Sequence, residues 1–143
     1  MFQKDAQAML KVIIVENDAM IADYLEDVLN DAGYEVCGIA PDVDSAITMG
    51  RACKPDLGII DLRLSDGRLG TEVAAALCPG TSFGALYSTG NPDHPVLHDA
   101  PGVACLAKPY TPEALVAALR LVRGRMMGEA TPAALPNGFR LLH

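Results

Sequence analysis

Five times along this chain a short apolar run gives way to a stretch with helical spacing. Lys11–Val15 is apolar and β-branched and stops at Glu16, Asn17 and Asp18, the pattern of a strand buried on both faces rather than an alternating edge strand. Ile21, Tyr24, Leu25, Val28, Leu29 and Ala32 then recur at helical spacing, with Asp18 as N-cap and Gly33 where a helix ends. Residues 34–40 and 42–53 repeat the unit, with Val43, Ala46 and Ile47 inward. Residues 57–60 form a third strand ending at Asp61, followed by a polar, glycine-bearing loop and a short helix over 71–77. A fourth strand covers 83–88. Pro92, Pro95 and Pro101 limit any helix in 91–101 to a short one. A fifth strand covers 103–107, and Thr111, Pro112 and Glu113 open a last helix whose inner stripe is Leu115, Ala118, Leu119 and Val122. Parallel strands need crossovers, and right-handed crossovers put helices on both sides. The expected fold is therefore α/β, a doubly wound five-stranded parallel sheet.

A chain of 143 residues, half of them hydrophobic, closes one core without staples. Residues 10–125 are expected to form that domain, with an N-terminal extension at 1–9 and a tail at 126–143 too short for an effector domain. Phe139, Leu141 and Leu142 in the tail are candidates to dock on the body or on a partner. The net charge of −7 speaks against direct DNA binding. Thirteen of the eighteen acids but only five of the eleven bases lie in residues 1–66, so a cation site belongs in that half. There is neither an apolar run of about 18 residues nor a signal-peptide pattern, and a cytoplasmic protein without membrane contact is expected. Cys37, Cys53, Cys78 and Cys105 lack metal-binding spacing and are expected as buried thiols rather than disulfide partners. His94 and His98, separated by Pro95, are expected as an exposed loop pair. Met9, Met20, Met49, Met126 and Met127 read as core or end residues.

In an open α/β sheet the site lies outside the carboxyl ends of the strands. The residues delivered there are Glu16 and Asn17, Asp61, Thr89, and Lys108 followed by Pro109. Two carboxylates about 4 Å apart repel by roughly 4 kcal/mol at an effective dielectric of about 20, so Glu16 and Asp61 call for a counter-cation. Oxygen donors of this kind suit Mg²⁺. Asp61 can then act as nucleophile toward phosphorus, Lys108 can neutralise the transferred oxygens and the Thr89 hydroxyl can hydrogen-bond one of them.

With those residues in place, the chain resembles the receiver domain of bacterial two-component response regulators over about residues 10–125. The resemblance rests on Ile13-Ile14-Val15-Glu16-Asn17-Asp18, Ile59-Ile60-Asp61, Tyr87-Ser88-Thr89-Gly90 and Leu106-Ala107-Lys108-Pro109-Tyr110. It implies a flavodoxin-like sheet of order 2-1-3-4-5 and phosphorylation of Asp61 by a sensor histidine kinase or histidine phosphotransfer protein. It also implies slow self-catalysed hydrolysis rather than enzyme activity on other substrates. Glu16, Asn17, Asp61 and the Arg63 backbone carbonyl would hold the metal, Thr89 would be the switch hydroxyl, and a cis Lys108–Pro109 bond is expected. Three positions depart from the family. Asn17 replaces a metal-binding aspartate, Cys105 stands where many members carry a switch aromatic, and Ser65 replaces a common proline.

A stand-alone receiver signals by binding an output protein through strand four, strand five and the last helix, or drains phosphate from a kinase. The same face is a candidate for a homodimer. The competing reading is a receiver-like interaction module with a degenerate metal site that takes up no phosphate, for which Asn17 and Cys105 argue. A dinucleotide enzyme would need a glycine-rich first turn, and an aspartate-based phosphatase would need an acid where Arg63 stands.

Overall fold

The computed structural model describes residues 10–143. The extension at 1–9, Met9 included, lies outside the described residues. Strands β1 (Lys11–Val15), β2 (Glu35–Ala40), β3 (Leu57–Asp61), β4 (Gly84–Thr89) and β5 (Ala104–Ala107) alternate with helices α1 (Ala19–Asp31), α2 (Val43–Cys53), α3 (Thr71–Leu77) and α4 (Pro112–Met126). A single 3₁₀ turn, Pro95–His98, stands between β4 and β5, as the prolines of that segment require. A sixth strand, β6 (Phe139–Leu141), follows α4.

The sheet order is β2-β1-β3-β4-β5-β6, with the first five strands parallel and β6 antiparallel to β5. Side-chain alternation divides each central strand between two layers. Ile13, Val15, Ile60, Ala85 and Tyr87 pack with Val43 and Ala46 of α2 and with Val73, Ala74 and Leu77 of α3. Val12, Ile14, Leu57, Ile59 and Leu86 pack with Ala22, Leu25 and Leu29 of α1 and with the full inner stripe of α4. β1, β3 and β4 are thus covered on both faces, which explains their unbroken apolar runs. The caps match the sequence reading: Asp18 accepts from the N–H groups of Met20 and Ile21, Thr111 accepts from that of Ala114, and Gly33 has φ +93°. Among the described residues no helix is long and apolar enough to cross a membrane.

Three expectations need correction. The sheet has six strands rather than five, because the tail residues Phe139 to Leu142 dock on the body. Ala107 N–H donates to Gly138 O and Leu142 N–H to Val103 O, each at 3.0 Å. A three-residue strand beside glycine and proline carries too little periodicity to be read from sequence. Second, Cys37 and Cys53 are paired as a disulfide, with Cα atoms 6.2 Å apart. α2 packs over β2 and returns its last residue to Cys37, a closeness that a separation of 16 residues does not reveal. Cys78 and Cys105 are free, and Cys105 is fully buried. Third, Ile21 and Tyr24 are exposed rather than inward. Ala22, Leu25 and Leu29 take the sheet contact, and Ile21 and Tyr24 lie about 100° round the helix from it. Met20 and Met127, read as core or end residues, are exposed at helix ends. His94 caps the 3₁₀ turn by accepting from Val96 N–H, and His98 is exposed.

Candidate functional site

The carboxyl ends of β1, β3, β4 and β5 meet at one rim because parallel strands all point the same way. Asp61 closes β3 opposite Ser88 of β4 and is 8% exposed. Its backbone is held closely: Leu62 N–H donates to Ser88 O, and Gly70 N–H to Leu62 O. A Cβ at Gly70 would fall 2.3 Å from the Asp61 carbonyl oxygen, so the loop can return this near to β3 only with glycine there. Glu16 follows β1 and is 4% exposed, with its own N–H on Ala40 O. Its Oε2 accepts from Asp18 N–H at 3.1 Å.

Lys108 binds this acidic pair together. Its N–H donates to Thr89 O, the Lys108–Pro109 peptide is cis, and its Nζ lies 3.3 Å from Asp61 Oδ2 and 3.9 Å from Glu16 Oε1. The ammonium therefore supplies counter-charge that the sequence reading assigned to a metal alone. Burial raises the Glu16 carboxyl above its ordinary range. The Asp18 N–H works against that shift, the Asp61 charge adds to it, and Lys108 offsets part of it. Thr89 is buried on the neighbouring strand, and its Oγ1 accepts from Asn91 N–H at 2.9 Å.

Asn17 and Arg63 stand at the exposed mouth, Arg63 in an antiparallel bridge with Leu69. Arg68 braces the same loop by pairing with Glu72 and with Asp44 of α2, each at 2.9 Å. Cys105 lies deeper in β5, opposite Tyr87 on one side and Arg140 on the other. Burial raises its thiol pKa.

Two residues of the site were missed. Tyr110 shares a hydrogen bond with Ser88, and its hydroxyl is pushed up to about 12, first by burial and then by the charges of Glu16 and Asp61. Ser88 itself is buried. The alternation of β4 could have flagged Ser88 as a polar residue inside an apolar strand. Nothing in the periodicity marks Tyr110.

By donor chemistry, two carboxylates, the Asn17 amide and the main-chain carbonyl of Arg63 are oxygen ligands of the kind a hard divalent cation takes. Among the described residues no group of three or more His, Cys, Asp or Glu side chains is placed to hold a metal, so the set is one acid leaner than a three-carboxylate pocket.

Residues 12–120 match the response regulator receiver domain family. The chain is 29% identical over 124 residues to the transcriptional regulatory protein PdtaR of Mycobacterium tuberculosis, a stretch covering 85% of this chain and 60% of that protein. It is 28% identical over 104 residues to the phyllosphere-induced regulator PhyR of Methylorubrum extorquens, covering 71% of this chain and 39% of that one. The match thus spans about three fifths of the one relative and two fifths of the other. Among solved structures, the PhyR receiver domain of Erythrobacter litoralis superposes with a TM-score of 0.69 at 22% identity, covering 88% of this chain and 96% of that one. The receiver domain of a modulated diguanylate cyclase from Desulfovibrio desulfuricans G20 gives 0.73 at 26% identity, covering 85% and 98%. A match that begins in β1 and ends at Arg120 in α4 takes in every strand end that builds the rim, and the chain accordingly belongs to the response regulator receiver domain family of two-component signalling.

Proposed function

We propose that Asp61 is the phosphoacceptor of this receiver. The observation that carries the reading is Lys108 Nζ 3.3 Å from Asp61 Oδ2, with Glu16 alongside at the end of β1. A carboxylate oxygen of Asp61 attacks the phosphorus of a phosphohistidine on a kinase or phosphotransfer protein. The P–N bond breaks, a P–O bond forms, and the imidazole takes up a proton as it leaves. Lys108 faces the charge that gathers on the transferred oxygens, and the Thr89 hydroxyl donates to one of them. In slow self-dephosphorylation water attacks the phosphorus of the acyl phosphate, the P–O bond to Asp61 breaks, and inorganic phosphate leaves with the Asp61 carboxylate regenerated. Glu16, Asn17, Asp61 and the Arg63 carbonyl would hold Mg²⁺, which neutralises phosphoryl charge when bound.

The donor protein docks on the surface beside the rim. Met20, Ile21 and Tyr24 are exposed on α1, and an open apolar groove of about 430 Å³ runs from Ile21, Tyr24 and Leu25 to Pro109 and Tyr110. The output surface is the face of β4, β5 and α4, through which a partner or a second copy would bind, and β6 is part of what such a partner meets. The setting is the cytoplasm.

Incubation with acetyl phosphate and Mg²⁺, followed by intact mass, tests the reading. One phosphoryl group is expected on the wild type and none on Asp61→Ala. The spare acid set and the exposed Asn17 favour a second reading, an interaction module that takes up no phosphate, and an unchanged wild-type mass would select it.

A further inference from the structure

β6 is a strand that the chemistry at Asp61 does not use. It lies on the outer edge of β5, with Leu141 opposite Ala104, Arg140 opposite Cys105 and Phe139 opposite Leu106. Phe139 and Leu141 pack into the layer of α1 and α4, and Leu142 into the opposite layer. Arg140 instead reaches sideways. Its Nη1 donates to the Pro92 carbonyl oxygen and to Asp93 Oδ1, both at 3.1 Å. Pro92 and Asp93 follow Asn91, whose N–H donates to the Thr89 hydroxyl oxygen. The short run 89–93 and one guanidinium therefore join the hydroxyl beside Asp61 to the strand at the sheet edge. The connection at 128–135 is exposed throughout, so β6 is held by its ladder, its apolar side chains and Arg140, and by His143 beyond it, whose ring nitrogen meets Ala100 O at 2.9 Å and whose carbonyl oxygen accepts from Arg125 Nη2 at 3.1 Å.

We propose that β6 is a releasable strap and that Arg140 ties its hold on β5 to the state of the Thr89 loop. The coupling rests on the phosphoacceptor reading of Asp61. When the Thr89 hydroxyl turns to a phosphoryl group on Asp61, it gives up the Asn91 N–H and the 91–93 backbone moves. Arg140 then loses its two oxygens. Release bares the β5 edge, a row of unpaired main-chain groups to which an extended segment of a partner adds as a strand. The pattern that fits is the one seated there now, with apolar, basic and apolar side chains in succession.

Hydrogen exchange on the full chain, read by mass spectrometry over 103–107 and 139–142, tests the strap. The samples are wild type, Arg140→Ala and Asp93→Asn, each before and after treatment with acetyl phosphate and Mg²⁺, with intact mass recording phosphoryl gain. Untreated Arg140→Ala and phosphorylated wild type are both expected to exchange in these two segments about threefold faster than untreated wild type, the scale of one solvent-exposed ion pair. Asp93→Asn should move in the same direction, while 12–15 and 57–60 stay protected in all samples. Wild type that has gained a phosphoryl group yet exchanges at the untreated rate overturns the coupling. Arg140→Ala as protected as wild type overturns the latch. A wild type that gains no mass sinks the reading of Asp61 and the coupling with it, and the untreated variants still decide the latch.

Discussion

Lys108 stands within 4 Å of two carboxylates that bury almost all of their surface, and that single contact decides how the acids behave. With the ammonium between them Glu16 and Asp61 can both carry charge, but Glu16 does so against a desolvation cost that raises its pKa. An acid raised on folding adds stability below its unfolded pKa and loses it as pH climbs through the folded one. In chelator-treated buffer, Glu16→Gln should therefore unfold at higher urea than wild type at pH 7, with the gap closing toward pH 4. A gap that widens on acidification would show the sign to be wrong. Asn17 presents the opposite case, an exposed donor without charge. Asn17→Asp is expected to tighten Mg²⁺ binding about tenfold through the added Coulomb attraction, read by NMR titration, and equal dissociation constants would refute it. Glu16, Asp61, Thr89 and Lys108 were legible because each closes a strand or follows one directly. Tyr110 was not, since it reaches Ser88 only after the chain has turned through Pro109, and no local pattern encodes that path.

At the level of elements, β1 and α4 were legible nearly to the residue, because an unbroken β-branched run and a Thr-Pro-Glu start each have one physical reading. The sequence did not disclose which part of the α1 stripe the sheet would cover. Ile21 and Tyr24 fit the period yet face out, because Ala22, Leu25 and Leu29 fill the contact. The Cys37–Cys53 pair and β6 depend on how distant elements stack, which hydrophobic spacing does not carry. Gly70 shows how an element end serves the site. It has φ −61°, so its backbone suits any residue, and only space forbids a side chain. Gly70→Ala should cost about 1–3 kcal/mol in urea unfolding through overpacking against Asp61 and Ile60. It should also slow phosphoryl uptake by displacing the acceptor. Gly90→Ala, with nothing within 4 Å of the added atom, should stay within about 0.5 kcal/mol of wild type, and equal costs at the two sites would contradict the steric account.

Taken whole, the molecule separates its chemistry from its contacts. The acids and Lys108 occupy the rim, and the exposed apolar side chains of α1 line a groove that runs up to Lys108 from outside it. Tyr24→Asp is therefore expected to reduce transfer from a protein phosphodonor about tenfold, the scale of a modest interface residue, while uptake from acetyl phosphate is unchanged. A loss of both would mean that the substitution disturbs the pocket itself. One further feature limits what the opposite side can do. The Tyr87 hydroxyl, buried under the sheet, donates to the carbonyl oxygen of Pro101, at the far end of the proline-rich passage that begins beyond Thr89. That passage is an arch with both feet held, one by the Thr89 hydroxyl and the other by Tyr87, which leaves its middle, where the Arg140 guanidinium leans, as the part free to answer a disturbance.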